Sequence, residues 1–237
     1  MSIDPEVRID PEVRIDFADV HVRLGTRDVL RGVTASLPER RVGVVGANGS
    51  GKSTLARLIN GLALPTFGSV TVLGLDTRRQ AARIRRRVGF LFTDPDAQIV
   101  MPTVAEDVAF SLRRKGLARE EVDRRVTEVL SRYGLAGHAD HPAHHLSGGQ
   151  KQLLALCAVM VLEPDILVMD EPTTLLDLRH SRQVAALLRD MPQQVVVVTH
   201  DLPLLADFDR VLVLDEGRVV ADGSPQEAIG HYRKLMA

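Results

Sequence analysis

The sequence predicts an α/β fold: a core with a mainly parallel sheet, an N-terminal antiparallel β region and an inserted α-helical subdomain. Three observations carry this expectation. Short, almost continuously apolar runs such as DILVMD (165–170) and QVVVVT (194–199) alternate with helical patterns, as strands buried on both faces of a parallel sheet do. A glycine-rich turn, GANGSGKST at 46–54, joins one such strand to a helix. From about 104 to 143 the alternation gives way to charged, amphipathic helix.

The elements follow in order. IDPEVR occurs at 3–8 and again at 9–14, too short a period and too few copies for a repeat architecture. It reads as a local duplication, so residues 1–14 are a non-domain segment and the domain runs over 15–237. VHVRL, VLRGVTASL and RVGVV are strands set apart by Gly25 and Pro38. After the glycine turn, Leu55, Leu58, Ile59 and Leu62 have helical spacing. Residues 69–73 and 88–92 are further strands, and the helical subdomain spans about 98–163. Within it Val122, Val126, Val129, Leu130 and Tyr133 line one helix face. DILVMD is a strand, 177–191 a helix, QVVVVT a strand, and VLVLD with RVV a terminal pair. Ser224 and Glu227 form a capping box for the last helix.

Composition sets bounds on function. The 237 residues are 45% hydrophobic and 26% charged, enough to bury a core. Thirty Lys and Arg against 31 Asp and Glu leave a net charge of -1, which argues against holding nucleic acid or lipid by bulk positive charge. A single cysteine, Cys157, excludes an internal disulfide framework and suits a reducing compartment. The apolar run Leu153 to Leu162 is far short of the roughly 20 residues that span a bilayer. The acidic, mixed N-terminus does not read as a signal peptide. A soluble, cytosolic protein is expected.

Residues 46–54 fit G-x-x-x-x-G-K-[ST] in the strand–turn–helix setting that a phosphate loop requires, so the core is read as a P-loop NTPase. Successive backbone N–H groups of Gly46, Ala47, Asn48, Gly49, Ser50, Gly51, Lys52, Ser53 and Thr54 can wrap phosphate oxygens, aided by the helix N-terminus. Lys52 is expected at the β- and γ-phosphates and the Ser53 hydroxyl on Mg²⁺. Asp170 and Glu171 end an apolar strand, where ligands of parallel sheets sit. Asp170 is assigned to Mg²⁺ and Glu171 to polarising the attacking water. LSGGQ at 146–150 opens an apolar helix, readable as a second anion site or as an ordinary serine cap.

Taken together and in order, GANGSGKST, Gln98, LSGGQ, ILVMDE, Asp177 and His200 resemble the ATPase subunit of ATP-binding cassette (ABC) transporters, over nearly the whole chain from Ile15. The resemblance implies a head-to-tail dimer enclosing two ATP molecules with Mg²⁺. Ser147, Gly148, Gly149 and Gln150 of one subunit would meet the γ-phosphate held by Lys52 of the other. Gln98 would reach Mg²⁺ and the attacking water, Asp177 would lie across the dimer seam, and His200 would contact the γ-phosphate. One position departs from the family pattern. Leu24 stands where an aromatic residue usually stacks on adenine, leaving Arg23, His21 or the partner chain as alternatives.

FTDPDAQIVMPTV at 92–104 is similar to the FQNPxxQ…PTV segment of energy-coupling-factor importers, and LPERR with GSGKSTLARLINGL looks like their biotin-type ATPase. That resemblance implies import of a vitamin, biotin first, with cobalt, nickel or another vitamin as the alternative cargo. It also implies an integral membrane coupling protein, a separate membrane substrate-binding protein and a peripheral place on the cytoplasmic face of the membrane. Ile99, Val100, Met101 and Pro102 are four apolar residues in a loop beside the nucleotide. Part of this segment, Met101 above all, is then expected to line a docking groove, the alternative being that they pack the joint between lobe and sheet. The arginines of 78–87 read as a solvated helix face, because 3% aromatics leave few stacking platforms for bases. His138, His141, His144 and His145 read as an exposed loop and not a metal site, and Cys157 as a core residue. Non-transport relatives in DNA repair or translation carry long coiled coils or tandem cassettes, and this chain shows neither pattern.

Overall fold

The computed structural model describes residues 14–174 and 176–237, with side chains 178–180 left aside. The duplicated hexapeptides therefore lie outside the described residues, save Arg14. Among the described residues, two sheets share the work. The first has four strands in the order β2 (Arg27–Leu37), β1 (Ile15–Leu24), β4 (Phe67–Val72), β5 (Leu75–Asp76), all antiparallel. The second has six, in the order β10 (Arg218–Gly223), β9 (Arg210–Asp215), β3 (Arg41–Gly46), β8 (Gln194–Val198), β7 (Ile166–Asp170), β6 (Val88–Leu91). It is parallel except for the β9–β10 hairpin. β3, β7 and β8 are buried at every residue, which accounts for their unbroken apolar sequence.

β1 begins at Ile15, five residues before the expected VHVRL, because Ile15, Phe17, Val20 and Val22 all face the core despite irregular spacing. Register shifts between Phe17 and Val20, with Asp19 at φ 46, hide that alternation from a period-two reading. α1 (Lys52–Ile59) stops short of Leu62: Gly61 turns to φ 67 and the N–H groups of Leu62 and Ala63 both return to Arg57 O. Leu62 is thereby left 48% exposed.

Between β6 and β7 lie α3 (Val104–Leu112), α4 (Arg119–Arg132) and α5 (Gly148–Met160), preceded by α2 (Thr77–Ile84). α4 buries Val126, Val129 and Leu130, and an Arg124–Glu121–Arg125 network covers its outer face. Cys157 is enclosed in α5, and burial pushes its thiol far above the ordinary range, as for an inert core residue. α6 (Leu178–Asp190) and α7 (Pro225–Leu235) complete the chain, α7 with the Ser224–Glu227 capping box. Arg41 was not singled out by its sequence context. It is buried, and its guanidinium donates to Leu188 O, Gln193 O and Met191 O, tying the start of β3 to the end of α6. No described helix is long and apolar enough to cross a membrane.

Candidate active site

β3 leads its chain into the glycine turn between β8 and β9, so the loop opens at the C-terminal edge of the parallel sheet. Gly46 and Gly51 are required by space as well as by φ (157 and 106). A Cβ on Gly46 would sit 2.1 Å from Leu214 O, and one on Gly51 2.7 Å from Leu30 Cδ2 and 2.8 Å from Val29 O. Lys52 is 7% exposed, and its ammonium donates to Gly46 O (2.9 Å) and Ala47 O (3.0 Å). Burial lowers its pKa, and the charges of Glu171 and Asp170 oppose that shift. A buried cation held by two carbonyls at the start of a helix suits an incoming polyphosphate.

The Ser53 hydroxyl donates to Asp170 Oδ1 at 2.9 Å, joining the start of α1 to the end of β7. Asp170 is 2% exposed; burial raises its pKa, while the Ser53 hydrogen bond and Arg57 lower it. Arg57, one helical turn beyond Ser53, brings Nη2 within 4.0 Å of Asp170 Oδ2. Adjacent hydroxyl and carboxylate oxygens of Ser53 and Asp170 fit a hard divalent cation such as Mg²⁺. Glu171 follows at φ 53. Its Oε2 accepts from His200 Nδ1 (2.7 Å) and His200 N (3.3 Å), while its own N–H donates to Val198 O (2.8 Å). Thus Lys52, Ser53, Asp170, Glu171 and His200 come together on three neighbouring strand ends, although β3, β7 and β8 are far apart in sequence.

A hollow of about 360 Å³ beside the loop is lined by Leu24, Arg27, Asn48, Lys52, Thr54 and Glu171 among others. Leu24 is 61% exposed at its margin. Of the three alternatives for the base, the two within this chain are engaged elsewhere: Arg23 donates to Asp28 (2.6 Å), and His21 contacts Asp19 and the Phe67 ring. Arg27 donates to Gly49 O (3.0 Å), bracing the loop from β2. Sequence reasoning missed Arg27 and Arg57. Helical spacing from Ser53 could have revealed Arg57, but no local pattern marks Arg27.

Gln98 is not brought to this group. Its Nε2 donates to Phe90 O (3.1 Å), and its Oε1 accepts from Phe92 N (3.2 Å). β6 is an edge strand, so these backbone groups lack a strand partner on one side, and the amide takes that place. Ser147, Gly148, Gly149 and Gln150 also stand apart from the hollow in the same chain. They form the first turn of α5, closed by a reciprocal capping box between Ser147 and Gln150. Asp177 is exposed at the start of α6.

The apolar segment expected at a docking groove borders two hollows. A hollow of about 770 Å³ on the side of β6 is lined by Leu62, Phe92, Val100, Phe110, Val159 and Leu162, rimmed by Arg85, Arg113 and Arg114. Val100 is 62% exposed there and also borders a second recess, which Met101 lines with Ile99, Pro102 and Ala143. The turn between these two residues is held by Asp107, a buried carboxylate that accepts from both Val100 N (2.8 Å) and Met101 N (2.9 Å). Two successive N–H groups on one oxygen fix the backbone at this turn, and of the two residues only Val100 reaches the larger hollow.

The sequence profile of ABC transporters matches residues 30–174. The chain belongs to the ABC transporter family. A relative from Deinococcus radiodurans, provisionally named an ABC transporter ATP-binding protein, is 56% identical over 89% of this chain and 93% of its own. The biotin transport ATP-binding protein BioM of Rhizobium etli is 46% identical over 93% of this chain and 98% of its own. Among solved structures, cbiO1 of Clostridium perfringens, part of the transporter complex cbiONQ, superposes with a TM-score of 0.82 at 29% identity. That match covers 94% of this chain and 92% of cbiO1. The cassette MJ0796, solved as a dimer with ADP and Pi, matches at 0.77 and 28% identity over 89% of this chain and 98% of its own. This ABC ATPase is an ATP hydrolase with a P-loop NTPase fold.

Proposed function

We propose that this chain is the ATP-hydrolysing subunit of an energy-coupling-factor importer for a vitamin, biotin in the first place. The observation that carries the cargo reading is the near end-to-end match to BioM of Rhizobium etli, and to BioM of Rhodobacter capsulatus at 43% identity over 93% of this chain. The likeness to cbiO1 supports a second reading, in which the same ATPase serves an importer of another small molecule such as cobalt, nickel or a different vitamin.

The loop from Gly46 to Thr54 would hold the phosphates through its N–H groups, and Lys52 would exchange its two carbonyl partners for β- and γ-phosphate oxygens. Ser53 and Asp170 would hold Mg²⁺, with Gln98 joining after leaving its two bonds on β6. The ion supplies charge neutralisation on the transferring phosphate when bound. Glu171, held by His200, would orient water for in-line attack: the water oxygen bonds phosphorus, the bond to the ADP oxygen breaks, and Glu171 draws off a water proton. His200, 62% exposed in its side chain, faces outward where it can also meet the γ-phosphate.

Since Ser147, Gly148, Gly149, Gln150 and Asp177 stand away from Lys52 in their own chain, they are assigned to the nucleotide of a second subunit in a homodimer. The groove at Val100, Leu62 and Phe110 is assigned to the membrane coupling protein, which would hold the subunit peripherally at the cytoplasmic face. A separate membrane protein would bind the cargo. Co-expression with candidate membrane subunits, followed by uptake of labelled biotin, tests this reading. ATP-dependent biotin uptake that Lys52→Ala abolishes is expected; uptake of another vitamin or a metal ion, with none of biotin, would move the assignment to the second reading.

A further inference from the structure

The histidines of HADHPAHH have no part in the reading above, yet one of them touches the Ser147 turn. We propose that His138 is a positioning residue for that turn: as a neutral ring protonated on Nδ1, it accepts a hydrogen bond from the Gln150 amide and thereby keeps Gln150 Oε1 on the Ser147 N–H. The inference rests on the assignment of this turn to a partner's nucleotide.

The two ends of the Gln150 side chain can be told apart by chemistry. Gln150 Oε1 lies 2.9 Å from Ser147 N, and a backbone N–H can only donate, so the oxygen must face it. The amide nitrogen then lies 3.0 Å from His138 Nε2. An amide NH₂ can only donate, so Nε2 must present its lone pair, and the single proton of a neutral imidazole must sit on Nδ1. Nδ1 is enclosed and has no partner among the described residues, so the tautomer is fixed by the Gln150 contact alone, at the cost of leaving the Nδ1 proton without an acceptor.

The ring is set on fixed backbone. It packs edge-on against His141, with ring centroids 5.0 Å apart. Its loop is tied to the segment that leads from Gln98 into α3: Ala105 N donates to Ala139 O (2.9 Å), Val104 N to His141 O (3.2 Å) and Ala143 N to Pro102 O (2.8 Å). A β-bridge joins Thr103 to Pro142. The Ser147 turn is therefore oriented by α5 and, through His138 and Gln150, by the strap that follows Gln98. Without the His138 acceptor, the Gln150 amide can rotate, and the reciprocal cap that shapes the Ser147 turn loosens.

Two measurements test this. ¹⁵N NMR of the intact protein should show His138 as the Nδ1–H tautomer, with Nε2 unprotonated; an Nε2–H tautomer overturns the proposal. In a Glu171→Gln background, ATP-driven association is then followed by light scattering. His138→Leu should weaken it about fivefold per turn, or roughly 25-fold for a symmetric dimer with two such turns, at the scale of one lost hydrogen bond each. ATP affinity of the monomer should not change, and His138→Gln, whose amide oxygen can replace Nε2, should restore association. Ser147→Arg separates the two layers. Loss of association with Ser147→Arg but not with His138→Leu overturns the role of His138 alone. Association unaffected by both overturns the trans assignment of the turn, and the proposal with it.

Discussion

Replacing Glu171 by Gln should leave nucleotide binding intact and remove most turnover. The carboxylate accepts from His200 Nδ1 and His200 N through one oxygen, Oε2. A glutamine amide oxygen can keep both bonds, so the change in stability should stay within about 1 kcal/mol. What the amide cannot do is take a proton from water. General-base assistance is worth about 10²- to 10⁴-fold, or roughly 3–5 kcal/mol in the barrier. The phosphate loop is not disturbed, because Lys52 is held by Gly46 O and Ala47 O. Glu171 does raise the Lys52 pKa through its charge, so its removal leaves the ammonium one fewer competing anion, and ATP affinity should be equal or slightly higher. Steady-state phosphate release with saturating Mg²⁺–ATP, set beside calorimetric ATP titration, measures both quantities. Turnover within about threefold of the unmodified protein would refute the assignment, since general-base removal costs far more than that. Lys52→Ala should show the opposite pattern, with affinity lost first.

Leu24→Tyr adds a ring at the exposed margin of the phosphate hollow, and ATP affinity by fluorescence titration should rise about five- to tenfold, the scale of base–aromatic stacking. No change would move the base away from β1. Val100→Glu should weaken co-purification of membrane subunits while thermal stability stays within about 0.5 kcal/mol, because Val100 is 62% exposed in the groove. Met101→Glu, in the other recess, should spare assembly. Asp170→Asn should stabilise the Mg²⁺-free protein near neutral pH. Burial raises the Asp170 pKa in the folded state, so the carboxyl contributes stability at acid pH and loses it as pH rises through its folded pKa. Denaturant melts should show the variant's advantage growing from acid to neutral pH and vanishing below the ordinary carboxylate range; a constant difference would mean that the charge is not its cause.

Local rules were enough for much of this protein. The run RVGVV followed by GANGSGKST specifies a buried strand, a tight turn and a helix start through nearest-neighbour sterics and hydrogen bonding. DILVMD and QVVVVT declare themselves buried by composition, and Ser147 and Ser224 are legible as caps three residues before Gln150 and Glu227. The motif residues are likewise local to their own strand ends. Pairings between distant segments were not legible, because a hydrogen bond across the fold leaves no period in the sequence. Only the order of strands brings Asp170 to Ser53, Glu171 to His200 and Arg27 to Gly49. Gln98 illustrates the limit: its motif identifies the residue, but the unpaired edge of β6 determines where its amide rests. Val100 and Met101 are adjacent and both apolar, and only the tertiary structure, in which Asp107 holds both of their N–H groups, brings Val100 and not Met101 to the larger groove. His138 is one of four histidines crowded within eight residues, and it is set apart solely by the approach of Gln150, twelve residues further on.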